Sequence, residues 1–355
     1  MAERYFIDDD KLNRRKYADF LRIIIENSDK YKRNGIESSY VIAVDSSWGT
    51  GKTYFTDMFE NYLLGFDGKD SENENMDYTV IRFDAWKNDF WNNAFEPFVA
   101  SIMGQDIFDL DRDSKNAESL LKNLAVSAGI IARGIVKRKV EAYIDPDSLD
   151  EAINKSAGSA KDFLLRDSKL FNDYQEFKRG IEDFKEALLR LVDDKRKIVI
   201  LVYELDRCKP TFSIQLLEIV KHLFDMSGIT FLFMIDIEQL SHSVKTVYGQ
   251  GMDATGYLCR FFDYIARMPK PDIKAYIHNS FEGVELFDDC KSSDKDKFIN
   301  FYYELCMRFD LSLRDIDTII CSYRIMLDSF LKEYILVEAH GFSDCQKRSA
   351  KAGFF

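Results

Sequence analysis

Tyr40-Val41-Ile42-Ala43-Val44, followed after Asp45 by Ser46-Ser47-Trp48-Gly49-Thr50-Gly51-Lys52-Thr53, is the stretch that decides the fold. The apolar run predicts a buried strand, the two glycines a tight turn, and Lys52 the start of a helix. A phosphate-binding loop needs this order. Backbone N–H groups and a helix N-terminus converge on the anion, Lys52 reaches the terminal phosphates, and the Thr53 hydroxyl is placed to hold Mg²⁺. The full pattern, G-x-x-x-x-G-K-[ST], begins here with Ser46 in place of its first glycine. Gly49 and Gly51 still permit close backbone approach beside Lys52.

Working outward, Leu12, Tyr17, Phe20, Leu21, Ile24 and Ile25 share one helical face, which predicts a helix over 11–33. Lys52 through Leu64 continues the loop as a helix. Tyr78-Thr79-Val80-Ile81-Arg82-Phe83 is a second apolar strand, and a helix carrying Phe95, Phe98, Ile102 and Met103 follows it. Residues 106–194 hold no strand-like run, only helical spacing, and are expected to be a helical insertion. Lys197 to Tyr203 and Ile229 to Ile235 are continuous apolar runs of the kind buried in parallel sheets. Tyr264 to Met268 is a weaker strand. Pro269 and Pro271 mark a boundary, beyond which Ile273–Phe281, Asp296–Phe309 and Leu313–Val337 are expected to be helices and the tail from Gly341 frayed. Strands alternating with helices indicate an α/β doubly wound sheet, with its ligand at the C-terminal strand ends. The expected division is 1–105 for the first part of the core, 106–194 for the insertion, 195–271 for the second part and 272–355 for a helical lid.

Composition narrows the class. At 46% apolar and 14% aromatic, 355 residues can bury a sizeable core. A net charge of −12 disfavours sequence-independent binding to nucleic acid or to anionic membrane. The six cysteines are far apart and form no C-x-x-C pair, so they read as free thiols in a reducing cytosol. The four histidines show no metal-ligand spacing. The uncharged part of Leu124 to Val136 is far shorter than the ~20 residues of a spanning helix. The Asp8-Asp9-Asp10 run is expected to be a solvated face.

A second element follows the 197–203 strand: Glu204-Leu205-Asp206-Arg207-Cys208-Lys209-Pro210. Carboxylates at the end of a buried strand suit a nucleotide hydrolase, one near Mg²⁺ and one orienting the attacking water. Asp236, at the end of the 229–235 strand, suits either a polar sensor of phosphate and water or a helix cap. Trp48 either packs the loop or approaches the base, and Trp86 is expected in the core.

Taken in order, these pieces resemble the KAP family of P-loop NTPases. Trp48 to Thr53, Phe83-Asp84-Ala85-Trp86 and Glu204 to Pro210 match its motifs. So do Leu216 through Phe224, Asp236 to Leu240, Tyr248-Gly249, Gly256 to Phe261 and Leu313-Arg314-Asp315, over about residues 15–330. The resemblance implies a three-layer αβα P-loop fold with a mostly parallel sheet, a helical insertion and a C-terminal helical subdomain. It implies ATP and Mg²⁺, with Ser47, Trp48, Gly49, Thr50, Gly51, Lys52, Thr53 and Tyr54 binding nucleotide. Glu204, Asp206, Asp236, Arg260 and Arg314 are then candidates for catalysis, with Thr53 and Asp206 on the metal. Arg260 is suited to an arginine finger given to a neighbouring subunit and Arg314 to a γ-phosphate sensor; each equally fits a surface ion pair.

The family often carries transmembrane helices between its nucleotide motifs and includes proteins of phage exclusion. The insertion here does not look membrane-spanning, so a soluble cytoplasmic member is expected, acting on a protein partner or as a homo-oligomer in defence against phage. Tyr203 stands where the family has a metal-side Asp, and a phenol is a poor substitute toward a hard cation. That departure opens a second reading, a nucleotide-binding scaffold with little or no hydrolysis that regulates a partner. Lys52→Ala should lower ATP affinity by about tenfold or more, the loss of one charge-assisted contact to phosphate. A binding titration that finds affinity unchanged removes the phosphate-loop reading.

Overall fold

The computed structural model describes residues 4–31, 38–68, 78–91, 93–103, 126–131, 175, 178–186, 197–224, 226–281 and 292–339. Most of the expected insertion and the tail from Gly341 lie outside them. Strands β1 (Tyr40–Asp45), β2 (Tyr78–Asp84), β3 (Lys197–Tyr203), β4 (Ile229–Ile235) and β5 (Tyr264–Arg267) form one sheet in the order β2-β3-β4-β1-β5. Each pairing is parallel. In register, Asp45 lies opposite Ile235, Tyr203 opposite Met234, and Asp84 opposite Tyr203, so the C-terminal ends of four strands finish level.

The period-2 alternation of a strand sends successive side chains to opposite faces. Val41, Ala43, Ile200, Val202, Phe231 and Phe233 point to one core, and Ile42, Val44, Val199, Leu201, Leu232 and Met234 to the other. Both faces are therefore apolar, and both are covered by helices, as a parallel sheet requires. On the first face lie α6 (Phe95–Met103), α7 (Pro210–Leu223), α8 (Ile237–Tyr248) and α9 (Ala254–Leu258). On the second lie α1 (Phe6–Asp9), α2 (Arg15–Glu26) and α4 (Lys52–Leu63). Two further short helices, α3 (Ser28–Tyr31) and α5 (Ala85–Asn88), follow α2 and β2.

The chain divides into two compact units. One contains the sheet and its flanking helices; the other gathers Lys11–Asn13, Trp48–Gly51 and the residues from Lys270 onward. The second unit contains α10 (Ile273–Ser280), α11 (Ser292–Arg308) and α12 (Leu313–Ala339). Its core is small: Ile277, Phe281, Ile299, Cys306, Ile316 and Ile320, with Phe281 meeting Phe298 and Tyr302 edge-on at 5.4 and 5.6 Å.

Three expectations need correction. The 11–33 helix is shorter, because Asp10 accepts hydrogen bonds from the N–H groups of Arg14 and Arg15 (2.8 and 2.9 Å) and starts α2 at Arg15. The same bonds show that the Asp8–Asp10 run is not simply a solvated face; Asp9 likewise accepts from the Tyr5 N–H at 2.9 Å. Trp86 is not in the core. It is 53% exposed in α5, because its small neighbour Ala85 takes the buried position.

Among the described residues Cys208, Cys259, Cys306 and Cys321 are free thiols, and no helix is long and apolar enough to cross a membrane. Phe98 is fully buried, edge-on to Phe83 at 5.1 Å and to Phe224 at 5.0 Å. Phe98→Ala should destabilise the sheet-bearing unit by about 3–5 kcal/mol in denaturant unfolding. A loss under about 1 kcal/mol would show that α6 is not packed as described.

Candidate functional site

The site grows from the end of β1. The Ser46 N–H donates to the Ile235 carbonyl at 3.0 Å, which extends the β1–β4 ladder one residue beyond the strand. Asp45 accepts the Ile237 N–H at 3.0 Å and ties the same corner to the start of α8. The chain then turns through Gly49 (φ 77°) and Gly51 (φ 85°), backbone angles that side-chain-bearing residues rarely adopt, and enters α4 at Lys52.

Lys52 is half-buried at this turn. Its Nζ donates to the carbonyls of Ser46 (2.5 Å) and Ser47 (3.3 Å) and lies 3.7 Å from Asp206 Oδ2. Burial pushes the ammonium below its ordinary pKa, while Asp206 and then Asp236 pull it back up. Asp206 is almost fully enclosed and also accepts the Asp236 N–H at 3.2 Å. Asp236 caps α8, its carboxylate accepting the Gln239 N–H at 3.1 Å. The cap and the charge beside Lys52 are therefore properties of the same side chain.

Glu204 opens the turn after β3 in the left-handed region, φ 61°. Its Oε1 accepts the Thr53 hydroxyl at 3.1 Å, and its Oε2 is ion-paired with Arg207 Nη1. Arg207 in turn lies over the ring of Trp86, 5.4 Å from the centroid. A hydroxyl and a carboxylate in contact are hard oxygen donors, the chemistry that suits Mg²⁺ bound mainly through phosphate oxygens. No group of three or more acidic, His or Cys side chains that could hold a metal by itself occurs among the described residues.

Tyr203 does not join them. It is buried in the core on the α4 side, with the Arg82 guanidinium 4.8 Å from its ring centroid. Burial pushes its phenol up to about 12, so it remains a neutral hydroxyl near pH 7. Arg82 is held from the other side by Asp57 (2.5 Å) and Glu60 (2.7 Å) of α4.

Thus Lys52, Thr53, Glu204, Asp206 and Asp236 come together in the first unit. Tyr54 is turned away: its hydroxyl donates to the Asp9 carbonyl at 2.7 Å and its ring lies under Arg4. Arg260 is exposed after α9, and among the described residues no hydrogen bond or ion pair joins it to this cluster.

Within the second unit, a Cβ added to Gly49 would come within 2.8 Å of Ser312 Cβ and 4.0 Å of Arg314 Cβ. Arg314 is thus beside Trp48–Gly51, in the first turn of α12. That turn is set by Ser312 and Asp315, which cap each other: the Ser312 N–H and hydroxyl donate to the Asp315 carboxylate at 2.9 and 2.7 Å. These bonds hold the Asp315 carboxyl below its ordinary pKa. Trp48 itself is 47% exposed.

Sequence reasoning missed Arg207 and Ser312. Arg207 lay inside the quoted Glu204–Pro210 element. Ser312 was legible as the first member of a Ser-x-x-Asp cap, although its approach to Gly49 had no local signal.

The KAP family P-loop domain matches residues 14–328. No curated protein matches the chain. Among solved structures the chain is similar to the Aeropyrum pernix ORC2 protein, described in ADPNP-ADP complexes, at 11% identity and a TM-score of 0.34. The match covers 76% of this chain and 51% of that one, so the chain spans about half its length.

Gly49→Ala would combine a left-handed φ with a contact that no ordinary Cβ makes. It should destabilise the protein by about 1–3 kcal/mol. Thermal unfolding of the variant checks this, and an unchanged midpoint would refute the close approach of Ser312.

Proposed function

The chain belongs to the KAP family of P-loop domains, and from that premise we propose that it is an ATP-binding switch that hydrolyses its nucleotide slowly. The observation that carries the reading is the convergence of Lys52, Thr53 and Glu204 at the level ends of β1 and β3. Lys52 and the N–H groups around Gly49–Thr53 bind the phosphates. Lys52 is already dehydrated and paired with loop carbonyls, so moving from them to phosphate oxygens needs little further desolvation. Thr53 and Glu204 would hold Mg²⁺ between them, and that ion would neutralise charge on the β- and γ-phosphates. Asp206 contributes by fixing Lys52 and the α8 corner rather than by facing the metal.

Slow turnover follows from position 203. Where the family has a carboxylate, this chain has a buried phenol clamped by Arg82, so Glu204 must serve both the metal side and the attacking water. One carboxylate with two duties favours binding over turnover. The same observation supports a second reading, a scaffold that binds ATP with no useful hydrolysis and regulates a partner through it. Either way the output is a change of state read by another protein or by further copies of the chain. Arg260 and Arg314 are the arginines offered for that role, and defence against phage is the setting that the family likeness suggests.

Glu204→Gln separates the readings. The amide keeps an acceptor for the Thr53 hydroxyl, so ATP binding should stay within a few-fold of the unaltered protein. Phosphate release should fall by about a hundredfold or more. Unchanged release defeats the assignment of Glu204 as the group acting on water. ATP binding without measurable release in the unaltered protein establishes the scaffold.

A further inference from the structure

Glu204 polarises water best through an oxygen with no cation beside it, and each of its oxygens has a neighbour. Oε1 accepts from Thr53 and Oε2 is paired with Arg207. Water reaches the carboxylate most readily where the less firmly held neighbour moves aside. Thr53 is fixed in the first turn of α4. Arg207 is held far less: it lies at the end of the three-residue 3-10 turn Leu205–Arg207, its side chain is 29% exposed, and its second contact is the face of the exposed Trp86. Such a cation–π contact near solvent is weak.

Arg207 also lies within the electrostatic reach of Lys52, whose ammonium its charge disfavours. A polyanion bound beside Lys52 would therefore lie within reach of the Arg207 charge as well. A terminal phosphate carries more charge than a carboxylate and offers three oxygens to the planar guanidinium.

We propose, building on the nucleotide reading above, that Arg207 is a cis-acting sensor of the terminal phosphate. It leaves Glu204 and Trp86 for the γ-phosphate of ATP and returns to them when only ADP remains. The exchange has two consequences. Glu204 is released from its cation only when there is a γ-phosphate to hydrolyse. Trp86, which stands outside the cluster and is half exposed, loses its cation in the same step and so reports nucleotide state at the surface.

The test uses the full chain with ATP's non-hydrolysable β,γ-imido analogue and with ADP, each with Mg²⁺. Tryptophan fluorescence should change with the imido analogue and not with ADP, and that change should be absent from Trp86→Phe, which assigns it to Trp86 rather than Trp48 or Trp91. Arg207→Gln should abolish the change and weaken the imido analogue about tenfold while leaving ADP affinity unaltered. Arg207→Lys, which keeps the charge without the fork, should fall between. The proposal is overturned if Arg207→Gln preserves the ratio of the two affinities, if it weakens both nucleotides equally, or if the Trp86 signal is the same for both. Failure of the unaltered protein to bind either nucleotide removes the nucleotide reading itself, and the sensor with it.

Discussion

Everything at the candidate site depends on the parallel pairing of β1 with β4, carried past the strand by the bond from Ser46 N–H to the Ile235 carbonyl. That bond decides where the chain leaves the sheet. Shift it by one residue and Asp45 no longer reaches the Ile237 N–H, the loop begins at a different height, and Lys52 misses Asp206. The pairing can be this strict because both faces of the sheet are buried. A slip of one residue would exchange the side chains of the two cores, sending Ile42 and Val44 toward the helices that cover Val41 and Ala43. Hydrophobic packing thus sets a register, and the register sets the position of charges that contribute nothing to packing.

Those charges are arranged as a closed exchange. Lys52 is satisfied by loop carbonyls and Asp206, Asp206 by Lys52 and the Asp236 N–H, Glu204 by Thr53 and Arg207. Each of these charges has an opposite charge or a donor beside it, in surroundings where an unpaired charge is expensive, and Glu204 Oε2 has the Arg207 cation as its neighbour without a hydrogen bond. Tyr203 shows the same economy. Its phenol lies on the α4 side of the sheet and gives Arg82, which is paired with Asp57 and Glu60, an aromatic face. Tyr203 thus joins β3 to α4 through Arg82.

The sheet was legible in the sequence because its strands are long apolar runs bounded by turn residues. β1, β3 and β4 fall where Tyr40, Lys197 and Ile229 announce them, and β2 runs one residue further, to Asp84. The turn from β1 into α4 was legible because glycine spacing beside Lys-Thr is a local signal. What was not legible came from tertiary contact. Nothing near Trp86 shows that Ala85 would take the inside position and leave the indole to Arg207. Nothing near Tyr54 shows that its hydroxyl would find Asp9. The start of α2 was missed for a different reason: apolar periodicity ran from Leu12, but the carboxylate of Asp10 fixed the first turn three residues later than the pattern alone indicates.

Glu204 sits in a left-handed backbone conformation, which few residues with side chains tolerate. Asparagine, aspartate and glycine adopt it with the least strain, whereas valine or isoleucine there would disturb the turn itself. Drift at this position is therefore channelled. The substitutions that spare the backbone include two, to glycine and to asparagine, that silence the carboxylate. Change at this corner can therefore remove the carboxylate while the fold stays intact.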